Sequence, residues 1–297
     1  MKKINRRSFL YSGAVSVTGF AALSGLGILS QGCTPVNATI DQVKLGKTGL
    51  TVSRVALGTG SIGSRHQSNQ TRMGLPNFVK MAHHAYDRGI RFFDTADTYG
   101  SYPFIKEVLK DLPREKVTLL GKMWTSNDIA NSEPVDKALD RFRLETGSDY
   151  FDIMLLHCMT NGKWQEEKKR YIDYFSLAKQ KGIIKAVGLS CHNYEALKVA
   201  VDDPWVDVIL ARINPFQSHM DGTPAQINEL LERARTNGKG IVGMKIFGNG
   251  DKIKENEREQ SITFAIKNTS IHSMTLGMES IAQVDDAINR VMRIVKG

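Results

Sequence analysis

Cysteine is scarce in this chain of 297 residues, which contains only Cys33, Cys158 and Cys191. Three widely separated thiols cannot build a disulfide framework, and they lack the repeated paired spacing of a structural zinc site. The fold must therefore rest on a hydrophobic core, which a composition with 41% hydrophobic residues allows. The sequence predicts no metal site.

No acidic residue precedes Asp41, whereas the first segment carries Lys2, Lys3, Arg6 and Arg7. Without these four cations the net charge of +9 falls to +5, a mild excess that suits an anionic ligand such as a dinucleotide. The chain also lacks a basic run interleaved with aromatic residues. We therefore expect no nucleic-acid partner.

The basic start "MKKINRRSFL" leads into the weakly apolar stretch "YSGAVSVTGFAALSGLGILSQGC", and this order is typical of a signal peptide. The pair Arg6 and Arg7, followed by "SFL", resembles a twin-arginine export signal, which is read by a machinery that moves folded proteins. Residues 1–33 are thus predicted to be such a signal or a membrane anchor. The twin-arginine machinery is an expected partner, and the expected location is periplasmic or membrane-anchored.

Two alternatives stay open for this segment. The apolar run from Ala14 to Leu29 is close to the shortest length that spans a bilayer, so it could act as an anchor. Cys33 loosely resembles a bacterial lipoprotein acceptor, although Ser30 stands where that pattern usually has Leu. A lipid on Cys33 would tether the protein to a membrane. Residues 34–42 have the composition of a short polar linker.

From Val43 to Gly297, apolar runs of strand length alternate with longer amphipathic stretches, and no low-complexity block separates them. This pattern predicts one domain. The predicted strands are "VSRVALG" from Val52, "IRFFDTA" from Ile90, "VTLLGKM" from Val117, "DIMLLH" from Asp152, "IKAVGLS" from Ile184, "VDVILARIN" from Val206, "GIVGMKI" from Gly240 and "SMTLGM" from Ser273. Eight repeats of strand and helix predict a parallel (β/α)8 TIM barrel over residues 43–297.

Three of the intervening segments carry clear helix signals. They are "LPNFVKMAHHAYDRG", "EPVDKALDRFRLETG" and "AQINELLERARTNG", each of which closes on a glycine. Before the barrel, "DQVKLGKTGLTV" predicts a β-hairpin that turns between Lys47 and Gly49. We expect this hairpin to close the barrel floor.

Reactive side chains fall at the carboxyl ends of three consecutive predicted strands. Asp94, Lys122 and His157 end strands two, three and four, and Tyr99 lies in the loop just after Asp94. Because chemistry in such barrels sits where these ends converge, we expect the four on one rim. A Lys beside a Tyr favours the phenolate, an Asp holds the Lys charged, and a His can align a carbonyl oxygen. Pairing with Lys122 also explains how Asp94 can be buried.

These residues lie in "LGKTGLTVSRVALGTG", "FFDTADTYG", "GKMW", "MLLHC" and "VGLSCHN", which in this order resemble the aldo-keto reductase family along nearly the whole chain after residue 33. The resemblance implies NAD(P)H-dependent, reversible reduction of an aldehyde or ketone, with a small carbonyl or alcohol compound as substrate. It implies that Tyr99 protonates the carbonyl oxygen as general acid and that Lys122 lowers its pKa. It further implies that Asp94 pairs with Lys122 and that His157 orients the substrate.

The resemblance also implies a site for NAD(H) or NADP(H) at the remaining strand ends. Its predicted residues are Gly58, Thr59, Ser190, Arg212, Met244, Lys245, Phe247, Gly248, Gly250, Met278, Glu279 and Gln283. The chain departs from the family in three places: Cys191 replaces an Asn after Ser190, Arg212 replaces a common Gln, and Met244 replaces a Tyr that often stacks under the nicotinamide. Lys245 is positioned to meet a phosphate, and the glycines of "FGNG" would let backbone N–H groups approach the pyrophosphate.

The segment "LGMESIAQVDD" bears on the choice between the two dinucleotides. Members of the family that prefer NADPH place Lys, Ser and Arg around the 2′-phosphate, whereas this chain has Met278, Glu279, Ser280 and Gln283. A carboxylate there would repel a phosphate, so the sequence slightly favours NAD(H).

Two other interpretations remain open. Cys158 and Cys191, with His157 and His192, suggest a thiol pair or a soft-metal site, although their spacing fits no metal motif. The replaced cofactor contacts suggest a non-catalytic, exported or membrane-tethered ligand-binding protein on the same fold.

The sequence says little about the substrate. The short loop "MTNGKWQEE" after strand four predicts an open pocket. Trp124, Trp164 and Phe216 are candidate walls, because aromatic side chains commonly line such pockets.

Overall fold

The computed structural model describes residues 39–125 and 132–297. Within these residues, eight parallel strands close into a barrel, with helices in the connections between them. The predicted (β/α)8 TIM barrel with an N-terminal β-hairpin is confirmed. The predicted signal or anchor in residues 1–33, with Cys33, lies outside the described residues. None of the described helices is long and apolar enough to span a bilayer.

The strands and helices follow the predicted alternation. The strands are β1 Gln42–Lys44, β2 Thr51–Ser53, β3 Val55–Gly58, β4 Phe92–Asp94, β5 Thr118–Trp124, β6 Phe151–Met159, β7 Ile184–Cys191, β8 Val208–Arg212, β9 Gly240–Met244 and β10 Ser273–Gly277. The helices are α1 Asn69–Arg72, α2 Leu75–Asp87, α3 Tyr102–Leu109, α4 Val135–Thr146, α5 Trp164–Glu167, α6 Lys169–Gln180, α7 Tyr194–Asp202, α8 Pro224–Thr236, α9 Glu255–Lys267 and α10 Ile281–Lys296. Short 3-10 turns cover Asp97–Tyr99, Arg114–Lys116 and Gly248–Gly250.

The barrel strands pair in chain order from β3 to β10, and β10 pairs with β3 to close the ring. The first strand begins later than predicted, because Val52 belongs to the hairpin and the barrel strand starts at Val55. The extended run is interrupted at Arg54, whose backbone N–H donates to the carbonyl oxygen of Asp41 at 3.0 Å. The Arg54 guanidinium also pairs with the Asp41 carboxylate. One apolar run therefore serves two sheets.

The three predicted helices are present, and local sequence signals mark their ends. Gly89 follows α2 at φ +89° and Gly147 follows α4 at φ +64°, in the left-handed region that a glycine adopts without strain. At the other end of the third predicted helix, Thr223 and Gln226 form a reciprocal capping box that starts α8. These local signals set the lengths of the connections between strands.

Two hydrophobic cores follow from the alternation of side chains along each strand. One core lies between the strands and the helices. The other fills the barrel interior and consists of Leu45, Val52, Ala56, Phe92, Leu120, Ile153, Leu155, Ala186, Val208, Leu210, Val242 and Met244. The barrel is thus a packed core rather than a pore, as layers of inward side chains require.

The hairpin closes the lower end of this inner core, as predicted. Leu45 and Val52 are fully buried among the inward-facing residues of the barrel. Gly46 approaches the start of β9 so closely that a Cβ there would lie 2.5 Å from the carbonyl carbon of Lys239. The backbone N–H of Lys47 donates to the carbonyl oxygen of Gly238 at 2.8 Å. Ligands therefore have access only from the opposite end.

Candidate active site

Polar side chains begin one layer above the apolar interior of the barrel. Asp94, Lys122 and His157 each lie two residues beyond an inward-facing apolar residue of the same strand, and so do Arg212 and Met244. Because residues two apart on a strand face the same side, these five residues project into the barrel mouth. The predicted rim is therefore present, with Tyr99 just beyond β4.

Asp94 and Lys122 form a buried ion pair between neighbouring strands, as predicted. The other carboxylate oxygen of Asp94 accepts a hydrogen bond from Oγ1 of Thr275 at 2.8 Å, and the Lys122 ammonium also donates to the carbonyl oxygen of Thr95 at 2.9 Å. Asp94 is 6% exposed and Lys122 is 1% exposed. Burial lowers the pKa of Lys122, and the charge of Asp94 opposes that shift. The pair is neutral in sum, and both members are hydrogen-bonded.

Tyr99 is positioned by the 3-10 turn after β4 and by two glycines. A Cβ added to Gly60 would lie 2.1 Å from ring atom Cε2 of Tyr99, and a Cβ on Gly63 would lie 2.5 Å from Cδ1. The ring thus occupies space that only glycine leaves open. Nζ of Lys122 lies 5.0 Å from the centroid of the same ring.

The electrostatic surroundings of Tyr99 differ from the expectation. Burial raises the pKa of Tyr99, and the negative charge of Asp94 raises it further. The lowering of this pKa by Lys122 that the resemblance implies is outweighed by burial and by the charge of Asp94, so the pKa lies above its ordinary value. The phenol therefore remains protonated at neutral pH, which is the state that a proton donor requires.

His157 lies between two aromatic rings. Its ring centroid is 5.6 Å from that of Tyr99 and 5.6 Å from that of Trp124, with interplanar angles of 87° and 83°. Burial lowers the pKa of His157 well below its ordinary value, and the Lys122 charge adds to the effect. His157 is therefore a neutral imidazole that can donate one hydrogen bond and accept one.

A β-bulge fixes the chain directly after His157. The pairing of β6 with β7 shifts register between Leu156 and Met159, and Cys158 has a φ of +68°. The backbone N–H of Cys158 donates to Oγ of Ser190 at 2.8 Å. A left-handed conformation is uncommon for a residue with a Cβ, so this bulge is a specific feature that interrupts the ladder at the mouth before Met159 pairs with Cys191.

The opposite side of the mouth is more basic. The Arg212 guanidinium donates to the carboxylate of Asp221 at 3.1 Å and also contacts Nδ1 of His192. Burial and the Arg212 charge lower the pKa of His192 to about 3, so His192 is neutral. Nε of Arg212 is buried and has no hydrogen-bond partner among the described residues. Lys245 lies nearby, and burial and the Arg212 charge lower its pKa.

The segment "FGNG" is folded differently from the expectation. The backbone N–H of Gly248 donates to the carbonyl oxygen of Lys245 at 2.8 Å, and that of Gly250 donates to Phe247 at 3.0 Å. These N–H groups close a 3-10 turn on itself, so neither is free to bind a pyrophosphate. Nζ of Lys245 contacts the side-chain oxygen of Asn249 across the same turn.

Three other predicted cofactor residues, Gly58, Thr59 and Met278, are in contact with other parts of the protein. A Cβ on Gly58 would lie 2.8 Å from Oγ1 of Thr275, and the Thr59 hydroxyl bonds to the carbonyl oxygen of Asp94 and to Ser101. The side chain of Met278 is buried in the outer core. Gly58 and Thr59 could therefore reach a ligand only through their backbone, and the Met278 side chain is not available.

Glu279 and Gln283 lie together at the start of α10. The side chain of Gln283 accepts the backbone N–H of Glu279 at 2.7 Å, and the Glu279 carboxylate accepts a hydrogen bond from the amide of Asn69 at 2.8 Å. Asn69 belongs to α1, which follows β3 in the chain. The carboxylate is thus held in place at the N-terminal end of a helix.

Comparison with known proteins agrees with this geometry. The Aldo/keto reductase family model matches residues 54–294, which is most of the chain. The chain belongs to the aldo/keto reductase family. The expectation of an NAD(P)H-dependent carbonyl/alcohol oxidoreductase is confirmed at the level of this family.

Curated relatives of this aldo/keto reductase include L-galactose dehydrogenase of Arabidopsis thaliana, which is 23% identical over 84% of this chain and 88% of its own length. NADH-specific methylglyoxal reductase of Escherichia coli is 27% identical over 66% of this chain and 64% of its own. A yeast protein, AAD16 of Saccharomyces cerevisiae, is 35% identical over 39% of this chain, but the match spans only 33% of that protein.

Solved structures share the fold at low identity. An aldo-keto reductase from Klebsiella pneumoniae, in complex with NADP and acetate, has a TM-score of 0.64 and 14% identity, over 85% of this chain and 90% of that one. AKR11C1 from Bacillus halodurans has a TM-score of 0.65 and 17% identity, over 86% and 96%.

Several residues of this aldo/keto reductase site could not be identified from the sequence. Thr275, which binds Asp94, and Asp221, which binds Arg212, carry no motif of their own. Gly60 and Gly63 lie in "GTGSIG" just after β3, and their spacing was the one available signal. Their role depends on the position of the Tyr99 ring, which comes from another loop.

The cysteines and the candidate pocket walls can also be located. Cys191 is buried in the outer core, and Cys158 in the bulge is a free thiol. Among the described residues, no three His, Cys, Asp or Glu side chains group as they would around a metal ion. Trp124 and Trp164 line a cavity beside His157, whereas Phe216 lies under the Lys252 ammonium, at 5.1 Å.

Proposed function

We propose that this protein reduces an aldehyde or ketone, and oxidises the matching alcohol, with Tyr99 as the general acid or base. The observation that supports this most is the convergence of a protonated phenol and a neutral imidazole above a compensated Asp94–Lys122 pair. Three side chains from consecutive strands and one from the turn after β4 contribute to this one arrangement. A purely structural explanation would have to justify each buried polar group separately.

In the proposed reaction, the substrate oxygen lies between Tyr99 and His157. Neutral His157 donates a hydrogen bond to that oxygen and orients it. The Tyr99 hydroxyl transfers its proton to the oxygen as negative charge develops there, and the Lys122 ammonium stabilises the resulting phenolate at short range. Asp94 keeps Lys122 charged despite its burial. A nicotinamide dinucleotide, when bound, supplies or accepts the hydride.

The basic side of the mouth fits such a cofactor. Arg212 and Lys245 provide two cations against the single carboxylate of Asp221, and Nε of Arg212 is a buried donor without a partner among the described residues. We propose that these two residues hold anionic groups of the dinucleotide, while Met244 supports the nicotinamide ring as an apolar surface. We also propose that the Ser190 hydroxyl donates a hydrogen bond to the nicotinamide amide. Its oxygen already accepts a hydrogen bond from the backbone N–H of Cys158.

We propose NAD(H) as the preferred form. Glu279, held by Asn69 at the start of α10, would accept hydrogen bonds from ribose hydroxyls and repel a 2′-phosphate. The NADH-specific methylglyoxal reductase of Escherichia coli, a relative by sequence, is an example of such a preference in a similar protein.

The deciding experiment is a fluorescence titration of the protein lacking residues 1–33 with NADH and NADPH, followed by assay of small aldehydes. We expect NADH to bind at least as tightly as NADPH, and Tyr99→Phe to abolish turnover while leaving NADH binding within about two-fold, because the phenol acts on the substrate. Clearly tighter NADPH binding would contradict the cofactor preference, and turnover by Tyr99→Phe would contradict the mechanism.

The same titration tests a second candidate, a ligand-binding protein without turnover. The self-bonded turn at Gly248 and Gly250 and the occupied side chain of Thr59 favour it, because each removes an expected cofactor contact. Binding of neither dinucleotide would establish this alternative in place of the enzyme.

We further propose that the protein is exported by the twin-arginine route and then lies in the periplasm or on a membrane, with Cys33 as a possible lipid attachment point. The support is the sequence "MKKINRRSFL" with the apolar stretch after it. Fractionation of cells expressing the full chain tests this proposal. Replacing Arg6 and Arg7 by Lys should retain the protein in the cytoplasm, and unchanged fractionation would contradict the route.

A further inference from the structure

A cavity of about 340 Å³ adjoins His157 on the side of Trp124. Its walls come from the end of β5, the end of β6 and the short helix α5. They include Trp124, Thr125, His157, Trp164, Glu167 and Lys168. This volume is in the range of pockets that bind small molecules.

Three side chains of this wall carry a buried polar atom without a hydrogen-bond partner among the described residues: Oγ1 of Thr125, Nδ1 of His157 and Nε1 of Trp164. The three residues are 7%, 8% and 1% exposed. A buried polar atom is normally hydrogen-bonded, because leaving it unpaired is destabilising. Three such atoms around one cavity therefore indicate a polar guest that completes them.

A second indole in the protein shows the usual arrangement. Nε1 of Trp205 donates to Oγ of Ser176 at 3.0 Å, and the Trp205 ring packs against that of Trp164, with centroids 6.2 Å apart. Within the part of the chain that the structure describes, the N–H of Trp205 thus has a hydrogen-bond partner and that of Trp164 has none.

The charges of the wall restrict the guest. Among the residues that the structure describes, the cavity is lined by one carboxylate, Glu167, and one ammonium, Lys168, which donates to the carbonyl oxygen of Thr125 at 3.2 Å. A lining that is neutral in sum gives no advantage to an anion or a cation. Hydroxyl groups can both donate and accept, so they match an indole N–H, a threonine hydroxyl and an imidazole nitrogen together. The indole faces suit the C–H groups between hydroxyls.

We propose that this cavity binds the hydroxylated end of a neutral carbonyl substrate, with Thr125 and Trp164 as specificity-determining residues. The proposal rests on the proposed function, since the carbonyl oxygen itself lies between Tyr99 and His157. The substrate class is therefore small hydroxyaldehydes or hydroxyketones rather than simple alkyl aldehydes or oxo acids.

The test compares glyceraldehyde with propanal, which has the same carbon chain without the hydroxyls. We expect the wild-type protein to favour glyceraldehyde by about ten-fold or more in kcat/KM, because a site built for hydroxyls rejects analogues that lack them. Trp164→Phe and Thr125→Val should each lower kcat/KM for glyceraldehyde about five- to ten-fold, the size of one hydrogen bond, and change that for propanal far less. Neither variant should lower the thermal midpoint, since no protein hydrogen bond is lost.

Matched controls make the same substitutions where the polar atom is satisfied. Trp205→Phe removes the bond to Ser176, and Thr146→Val removes the 2.7 Å bond to the carbonyl oxygen of Phe142. Both should lower the thermal midpoint and leave the glyceraldehyde to propanal ratio unchanged. A ratio that stays constant in Trp164→Phe and Thr125→Val would overturn the proposal. Preference for glyoxylate over glyceraldehyde would overturn the neutral substrate class.

Ligand binding separates this proposal from the reaction itself. Saturation-transfer NMR with erythritol and with 1-butanol requires no turnover. Erythritol should give a saturation-transfer signal with the wild-type protein and none with Trp164→Phe. The signal of 1-butanol should be the same with both proteins. If the protein reduces no carbonyl compound but erythritol behaves this way, the proposed reaction fails and the binding site stands. If erythritol does not bind, the inference is wrong whatever the activity.

Discussion

The two sides of the barrel mouth are built differently. On the side of β4, β5 and β6, Asp94 and Lys122 cancel each other, and His157 and Tyr99 are neutral. On the side of β8 and β9, Arg212 and Lys245 leave an excess of positive charge. Proton transfer and anion binding thus need different local charge, neutral for the first and positive for the second. A proton donor must stay neutral until the reaction, whereas an anion site must keep charge available.

The largest effect is expected from breaking the neutral side. Lys122→Met should lower kcat about 1000-fold or more, because the phenolate of Tyr99 loses its counter-charge. It should also lower the free energy of unfolding by about 3–5 kcal/mol, because Asp94 stays buried without a partner. Steady-state kinetics and urea unfolding measure the two effects.

Two further variants separate those effects. The double variant Asp94→Asn with Lys122→Met should recover most of the stability but none of the activity. Lys239→Met is the control, since it removes another buried ammonium, one that donates to the carbonyl oxygens of Asp203 and Val206 at the barrel floor. If Lys239→Met also lost activity, the loss of kcat in Lys122→Met could not be assigned to the active site.

The next effect concerns the position of Tyr99. Gly60→Ala would place a Cβ 2.1 Å from the Tyr99 ring, so the ring must move. A shift of this size should lower kcat about 100-fold while NADH binding changes little, since geometry near the reacting atoms dominates the rate. Gly162→Ala, where the nearest atom to the new Cβ is 3.4 Å away, is the control. Equal kcat values for the two variants would contradict this role of Gly60.

A smaller effect is expected on the basic side. Arg212→Gln removes one cation and should weaken NADH binding about ten-fold, with a weaker dependence on salt, because the lost contact is electrostatic. The pH-independent part of kcat should change less than the affinity. Fluorescence titration at two salt concentrations measures both quantities, and an unchanged affinity would remove Arg212 from the cofactor site.

The last prediction is a pH dependence of stability, which involves one histidine on each side of the mouth and one near the barrel floor. Burial lowers the pKa of His157 below its ordinary value, that of His192 to about 3 and that of His272 to about 4. Below about pH 6.5 the unfolded chain binds protons on these histidines and the folded chain does not, so the free energy of unfolding falls as pH falls toward 4. Each histidine contributes at most ~1.4 kcal/mol per pH unit.

Urea unfolding at about pH 7, 5.5 and 4.5 measures this slope. His272→Gln removes the histidine whose Nδ1 accepts the backbone N–H of Ile241 near the barrel floor. That variant should show a shallower slope than the wild-type protein. An identical slope would mean that His272 does not stay neutral in the folded state.

The same comparison explains how much could be predicted from the sequence. The neutral side could be predicted because Asp94, Lys122 and His157 end consecutive strands, and neighbouring strands bring their ends together. The basic side could not, because the partners of Arg212 come from the loop after β8 and from the end of the preceding strand, β7. Asp221 lies nine residues after Arg212, and nothing in the local pattern fixes how that loop folds back.

The fold shows the same limit on a larger scale. Apolar runs of strand length predicted every barrel strand, because a strand that is buried on both faces is apolar along most of its length. The division of "VSRVALG" between hairpin and barrel was missed, since it depends on the contact of Arg54 with Asp41. Likewise, the N–H groups of "FGNG" were expected to be free, because a glycine-rich stretch does not reveal which of its own carbonyls it will bond.

The pairing of β10 with β3, which closes the barrel, predicts an order of folding. The hydroxyl of Ser273 donates to the carbonyl oxygen of Ser53 at 2.8 Å across 220 positions of sequence, beside the pairing of β10 with β3. Contacts of such separation form late, because a long loop must be closed before they contribute. Leu45 and Val52 belong to the inner core, which contains residues of every strand from β3 to β9. We therefore expect the floor hairpin to dock stably only after the ring has closed, so its protection in a pulsed hydrogen-exchange experiment should appear last.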